Sequence, residues 1–280
     1  MARFVVPFGR EGASDRAARA FALAFARAGG GDLAVENVPG EGGLAGVRHA
    51  NALVREGAPL FLLSTPTTHV LLPTRLGPSA APSDAFRPFL GLGSAPNVLL
   101  VPPRLGVRSV DELVALARRE RLTYASAGAG QTIDVCTVQF MRAAGIDMAH
   151  RPYAQGSVLA YAGLRSGEAD VYFDNVLGCT DRIAANEVLP LAVSSATRSA
   201  LLPEVPALAE CGFPGYALDV WIGVFAAALP AGELKTAARM EADAQFRAAL
   251  AALGLAGGPL GASRFARAVE ESSAAWSRPR

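Results

Sequence analysis

Three short segments of the chain combine small residues, hydroxyls and charge in a way that suits holding an anion. In Pro7-Phe8-Gly9-Arg10-Glu11-Gly12-Ala13-Ser14-Asp15, an apolar run ends in a turn whose small residues let backbone N–H groups and a helix N-terminus approach a negative group. Ser126-Ala127-Gly128-Ala129-Gly130-Gln131-Thr132, with Asp134 just beyond it, is built the same way. Ser64-Thr65-Pro66-Thr67-Thr68-His69 closes a third apolar run with hydroxyls, which donate and accept and so fit an oxygenated small molecule, or else serve as helix caps. His69 suits either a general acid or base or a structural hydrogen-bonder. Asp174 and Asn175 end a fourth run, where they can accept a ligand hydroxyl or amine or cap the following helix. Tyr153, Gly156 and Ser157 form a further turn of that kind. Two anion-receptive turns suggest a ligand with two acidic groups, one for each.

Other chemistries find less support. Gly128-x-Gly130 lacks the third glycine of a dinucleotide fingerprint, Ile133 standing in its place, and there is neither a Walker A motif nor a Gly-x-Ser-x-Gly elbow. Cys136, Cys179 and Cys211 form no CxxC and no Cys/His cluster, so neither a metal nor a cofactor is expected and at most one disulfide can form. A net charge of +1, from 26 Lys+Arg against 25 Asp+Glu, lacks the basic footprint that nucleic acid or an anionic membrane demands. Apolar runs such as Leu60-Phe61-Leu62-Leu63 fall far short of the ~20 residues of a membrane span, so no direct membrane insertion is expected. The chain opens on Met1-Ala2-Arg3 and a strand, without the charged and apolar regions of a signal peptide. The protein is therefore expected in the periplasm if an export signal has been removed, and in the cytoplasm otherwise.

The elements that must carry these turns are legible as a changing hydrophobic period. The 280 residues, 51% apolar and 18% charged, suffice for two packed domains of about 100 to 150 residues each. Strands are predicted at Phe4–Val6, Leu33–Glu36, Leu60–Ser64, Val98–Val101, Leu122–Ala125, Ala169–Phe173 and Trp221–Ala228. Helices are predicted at Asp15–Ala28, Leu44–Val54, Val110–Arg118 behind the cap Ser109, Asp134–Met141, Val158–Leu164, Glu233–Leu253 and Ser263–Trp276. Pro230 breaks the chain before the last pair, and Pro73–Pro88, with four prolines, reads as a loop. Such alternation argues for parallel α/β sheets covered on both faces, in which ligands bind outside the carboxyl ends of the strands, where the candidate turns lie.

Taken in order, further segments resemble one family. They are Val6-Pro7-Phe8 with Gly12 and Asp15, Glu36-Asn37-Val38-Pro39-Gly40 with Gly42-Gly43, and Pro96-Asn97-Val98-Leu99. Tyr124–Gly130, Pro152-Tyr153, Asp170-Val171-Tyr172-Phe173-Asp174-Asn175, Arg198–Pro206 and Gly212-Phe213-Pro214-Gly215-Tyr216 continue the series. Together they resemble the extracytoplasmic solute receptors of tripartite tricarboxylate transporters, the Bug family. The resemblance implies an α/β, two-domain periplasmic binding protein of type II, or Venus-flytrap, topology with mostly parallel mixed sheets. It implies a discontinuous first domain of residues 1–100 and 223–280, a second of 101–222, and a ligand cleft between them, with crossings near Leu99–Pro103 and Asp219–Ile222. It further implies a small organic acid whose carboxylate is held by backbone groups and waters of the two turns, and membrane subunits of the transporter as partners.

The chain departs from the family pattern in both turns. Arg10-Glu11-Gly12 replaces a small residue and a Gly-Gly pair, so Arg10 either grips a carboxylate or pairs with Glu11 in solvent. Asp134 stands where the family often has His, and Gln131-Thr132 replace small hydroxyl residues. An added acid repels a dicarboxylate unless protonated or paired, which favours a ligand carrying an amine or several hydroxyls. The leading expectation is a receptor for a dicarboxylate, amino acid or aromatic acid, with no covalent chemistry. The alternatives are an isomerase or lyase using Arg10, Glu11, His69, Asp134 and Asp174 on a carboxylic acid, or a ligand-sensing protein.

Overall fold

The computed structural model describes residues 2–57, 59–153, 157–229 and 233–277; Gly156 and Pro230 lie outside them. The first part runs β1 (Ala2–Val6), α1 (Ala13–Phe25), β2 (Leu33–Asn37), α2 (Leu44–Arg55), β3 (Leu60–Ser64), α3 (Leu72–Leu76) and β4 (Arg87–Val101). The middle runs α4 (Val110–Ala117), β5 (Thr123–Ser126), α5 (Thr132–Ala144), β6 (Ala149–Pro152), α6 (Ser157–Ser166), β7 (Val171–Asn175), α7 (Val176–Ala184) and β8 (Leu189–Val193). The chain ends with β9 (Asp219–Ala227), α8 (Glu233–Ala242), α9 (Ala244–Ala252), β10 (Leu260–Gly261) and α10 (Ala262–Trp276). It divides into two compact units, Met1–Ser94 with Trp221–Ser277, and Ala95–Val220.

In the first unit the strand order is β2-β1-β3-β9-β4, with β10 on β4. β1 is parallel to β2 and β3, and β9 is antiparallel to β3. All five residues of β3 are buried because both faces of the sheet are covered. On one face Phe4, Phe61 and Phe89 meet Phe21 and Phe25 of α1, with ring centroids 5.1 to 6.3 Å apart and mostly edge to face. On the other, Val5, Leu60 and Leu62 pack with Ala50 and Leu53 of α2, Phe225 of β9, and Phe265 and Val269 of α10. This two-sided core fixes β1, and with it the start of the first candidate turn.

In the second unit β4 continues antiparallel to β7 and β8, and β5 lies parallel to both β6 and β7. Its core gathers Phe140 of α5 against Phe173 and Phe213, at 6.2 and 5.5 Å between ring centroids. Tyr216 anchors the segment after β8 by donating its hydroxyl to the Cys136 carbonyl at 2.7 Å.

Three elements differ from the sequence reading. The strand expected at Val98–Val101 is the end of one that starts at Arg87 and absorbs two glycines and two prolines. The glycines are tolerated because neighbours fill their space: a Cβ on Gly91 would stand 2.7 Å from the Phe265 ring, and one on Gly93 would stand 2.7 Å from the Ala256 carbonyl. Pro73–Pro88 is not all loop, since α3 runs into it and a 3-10 turn follows at Pro78–Ala80. The helix expected over Glu233–Leu253 is broken at Asp243, whose side chain caps α9 by accepting the Gln245 and Phe246 N–H groups.

The tip of the Phe265 ring also lies against Gly223 of β9, where no Cβ can stand. Gly223→Ala is expected to cost about 2 kcal/mol by overpacking, and much less in the background of Phe265→Leu. Urea denaturation of the two single variants and the double variant measures this; additive losses would contradict it.

Candidate functional site

Because β1, β2 and β3 are parallel, the turns that follow their carboxyl ends gather at one edge of the first unit. Gly43, at φ +100, has room for no side chain, since a Cβ would stand 2.8 Å from Thr68 Cγ2 and 3.4 Å from the Phe8 ring. Phe8, Gly43 and Thr68, one from each turn, thus pack together. Beside them Asp15 is buried and turns its carboxylate back onto its own turn, accepting the Glu11 N–H at 3.0 Å. Arg19 donates to both carboxylate oxygens, and Asn37 at the end of β2 donates to Asp15 Oδ1 at 3.0 Å and to the Phe8 carbonyl at 3.1 Å. Burial pushes the Asp15 carboxyl up, but the bonds from Arg19, the Glu11 N–H and Asn37 outweigh it and hold the group below the usual carboxylate range.

The same bond holds Glu11 at φ +67, a left-handed backbone that non-glycine residues adopt only under constraint. Gly12 is the N-cap of α1 and supplies no side-chain cap, so the first-turn N–H groups are not covered by it. The side chains of Arg10 and Glu11 are exposed, Ser14 is half-buried, and Gly9 is open to solvent. Among the described residues Arg10 and Glu11 form no ion pair, with each other or otherwise.

The second unit repeats this device at the end of β5. Asp134, 1% exposed, accepts the Gly130 N–H on Oδ2 at 2.7 Å and the Tyr124 hydroxyl on Oδ1 at 2.8 Å. In both turns the aspartate is the third residue of its helix and takes the N–H group four residues earlier, just ahead of an N-cap that has no side-chain cap of its own. Here the N-cap is Gln131, whose side chain instead donates to the Ala127 carbonyl at 3.1 Å. Ser126 is fully buried; its Oγ accepts the Gly128 N–H at 3.0 Å and lies 2.7 Å from His150 Nε2. Gly128 and Gly130 sit at φ +139 and +79. Asp134 is therefore paired, and the expected repulsion of a dicarboxylate is blunted by its own partners.

The remaining candidates fall elsewhere. Asp174 is buried under α7, accepting the Tyr161 hydroxyl at 2.7 Å and the Asn175 N–H at 2.9 Å, while Asn175 caps α7 by accepting the Leu177 N–H at 3.2 Å. Tyr153 packs its hydroxyl against Gly163 and lies 3.4 Å from Glu168. Thr65 and Thr67 are buried, and Thr65 Oγ1 finds no hydrogen-bond partner among the described residues. His69 stacks on Phe225 at 4.5 Å, and burial pulls its imidazole down to about 4, so it is neutral at pH 7. It borders a cavity of ≈ 380 Å³ lined by Phe86, Phe225 and Val269, with Asp84, Arg87 and Glu270 around it. Among the described residues no three His, Cys, Asp or Glu side chains cluster as metal ligands do.

Arg19, Asn37, Gly43, Tyr124 and His150 are members of this arrangement absent from the site residues expected above. Asn37 and Gly43 lie within the family-like segments, whereas only the parallel pairing of β5 with β6 brings His150 to Ser126.

Two mixed α/β units, with glycine-bearing turns at strand carboxyl ends, define a two-domain periplasmic binding protein of type II topology. The solved structure of R. palustris Rpa4515 with adipate is similar over 99% of this chain and 95% of that one, with a TM-score of 0.85 and 27% identity. A UPF0065 protein from the tcbD-tcbE intergenic region of Pseudomonas sp. (strain P51) is 32% identical over a match covering 80% of this chain and 67% of the relative. BugT of Bordetella pertussis is 28% identical over 80% of this chain and 69% of that protein. Residues 17–272 match the tripartite tricarboxylate transporter family receptor, and the chain belongs to that family, as its Bug-like segments imply. Such receptors act outside the cytoplasm, and no helix among the described residues is long and apolar enough to cross a membrane.

Burial pushes the Asp174 carboxyl up to about 6 despite the bonds from Tyr161 and the Asn175 N–H and the charge of Arg182. An aspartate in the unfolded chain titrates near ~3.9, so between about pH 4 and 6 the folded state holds a proton the unfolded state has lost, and stability falls as pH rises through that window. Asp174→Asn is expected to remove this slope, gaining on the parent by up to about 3 kcal/mol between pH 4 and pH 7. Urea denaturation at a series of pH values tests it, and a gap independent of pH would refute it.

Proposed function

We propose that this chain is a solute receptor that captures a small carboxylate, of the dicarboxylate, amino acid or aromatic acid class, without covalent chemistry. It delivers that ligand in the periplasm to the membrane subunits of a tripartite tricarboxylate-type transporter. The observation that carries this reading is the repeated turn. In each unit a buried aspartate ties down the residue ahead of a helix and leaves the helix N-terminus without a side-chain cap. Backbone donors at such an end, helped by the helix dipole, suit a carboxylate. At ~1.5–3 kcal/mol for each hydrogen bond to a charged group, about four of them approach the ~8 kcal/mol of a micromolar site before ordering costs.

Three further facts support it. The similar R. palustris protein carries adipate, a dicarboxylate. Thr65, just after β3, holds a buried hydroxyl without a partner among the described residues, the kind of group a ligand oxygen satisfies. Asp134 and Asp174 each accept hydrogen bonds from their own unit, which argues against either serving as the base of an isomerase or lyase.

A thermal-shift screen with adipate, malate, glutamate and benzoate tests the reading. At least one acid is expected to raise Tm by several degrees at a hundredfold excess over Kd, a stabilisation of about 2.7 kcal/mol, and to be recovered chemically unchanged by NMR. Gly128→Ala, which places a side chain at φ +139, is expected to weaken that binding at least tenfold. No shift with any acid, or conversion of one, would overturn the proposal.

A further inference from the structure

The two turns differ in what stands behind their aspartates. Asp15 is backed by Arg19 and by Asn37, which reaches over from the neighbouring parallel strand β2. The neighbouring parallel strand of β5 is β6, and the residue it sends toward the second turn is His150. We infer that His150 is a positioning residue of the second turn, holding Ser126 Oγ in the orientation that fixes the Gly128 N–H and so presets Ser126–Thr132 for an anionic ligand. The inference rests on reading that turn as a ligand turn, and it concerns a residue outside every candidate role considered above.

The geometry is over-determined. His150 and Tyr124 stand opposite each other in the β5–β6 register, and their rings stack at 4.7 Å and 13°, which sets the plane of the imidazole. In that plane Nε2 lies 2.7 Å from Ser126 Oγ, two residues along the same strand face as Tyr124, and 3.8 Å from Asp134 Oδ1. Ser126 is fully buried and its hydroxyl has one proton and two lone pairs. One lone pair takes the Gly128 N–H, and His150 engages the oxygen from the other side, so Ser126 Oγ is held by two partners. Asp134 meanwhile takes the Gly130 N–H and the Tyr124 hydroxyl. Both glycine N–H groups of the turn are thereby tied to one cluster of Tyr124, Ser126, Asp134 and His150. A turn with glycines at φ +139 and +79 has wide freedom unless it is held, and freedom removed before binding is not lost on binding.

Amide hydrogen exchange by NMR on the ligand-free protein tests the positioning itself, and adipate titration by calorimetry tests its use; another acid replaces adipate if only that acid shifts the parent. His150→Ala is expected to speed exchange of the Gly128 and Gly130 amides about tenfold while leaving the Glu11 amide unchanged, and to weaken the acid about tenfold. His150→Gln, whose amide can still reach Ser126 Oγ, is expected to restore both to within about threefold, which a role in packing alone would not do. Ser126→Ala is expected to match His150→Ala, with no further loss in the double variant. Unchanged Gly128 exchange in His150→Ala, failure of Gln to rescue, or loosened amides with undiminished affinity would each overturn the inference. If the parent binds no acid at all, the ligand reading of the turn fails, and the exchange data still decide what His150 holds.

Discussion

Asp15 and Asp134 each turn a buried carboxylate back onto the N–H group four residues earlier, and what the helix behind each can do follows from that bond. A helix usually spends its first-turn donors on a side chain at the N-cap. Here the acceptor sits at the third helical position and takes the donor that lies outside the helix, while Gly12 and Gln131 at the N-caps supply no acceptor. The turn is fixed without its helical donors being covered. The aspartate also places its charge in the first turn, where the dipole favours it and where it offsets part of the positive end. On the proposed function, an incoming anion is consequently recognised by the geometry of N–H groups more than by long-range attraction, in keeping with a chain whose net charge is only +1.

A buried carboxylate is stable only with donors, and the fold supplies them from the strand that leads into the turn or the one beside it. Asn37 comes from β2 to Asp15, while Asp134 takes the Tyr124 hydroxyl from β5 itself, and His150 of β6 engages Ser126 beside it. Parallel pairing is what makes this possible, because it brings the carboxyl ends of neighbouring strands level. The register in turn depends on the cores: Phe4 and Phe61 bury one face of β1 and β3, and Val5 and Leu62 bury the other. A slip of one residue would exchange those faces and withdraw the partner from the carboxylate.

Much of this was legible in the chain. The turns at Phe8–Asp15 and Ser126–Thr132 stand out by their small residues, and the strands and helices flanking them follow from hydrophobic period. The roles within the turns were harder to read. Asp134 looks like an acid added to a ligand site, yet it accepts hydrogen bonds from Gly130 and Tyr124 and serves the backbone. The difference lies in a hydroxyl ten residues away and a histidine on another strand, and no spacing rule contains either. His69 invites a catalytic reading, but burial against Phe225 keeps it neutral. β4 was legible only at Val98–Val101, because glycines such as Gly91 and Gly93 weaken a strand unless, as here, α10 and the Ala256 segment fill their space. In each case the missing information is tertiary: what a side chain does is set by donors or atoms that the topology delivers from far along the chain.

Backbone N–H groups offer the same donors to every carboxylate, so turns of this kind give affinity to a class of acids without choosing among them. Choice must come from side chains near the turns. Phe8 packs against Gly43 and Thr68, presenting an apolar wall at the edge where the Thr65 hydroxyl has no partner among the described residues. Gln131 fills the second turn's N-cap position with its amide folded onto Ala127 rather than free to grip a ligand. Arg10, exposed and without an ion pair among the described residues, adds a charge that salt screens, and so tunes capture more than grip. A buried hydroxyl discriminates far more sharply, because an acid that leaves it unpaired forfeits its hydrogen bond in a place water does not reach. On the proposed function, selectivity therefore rests with the few neutral groups around Thr65 and Phe8, and affinity with backbone donors.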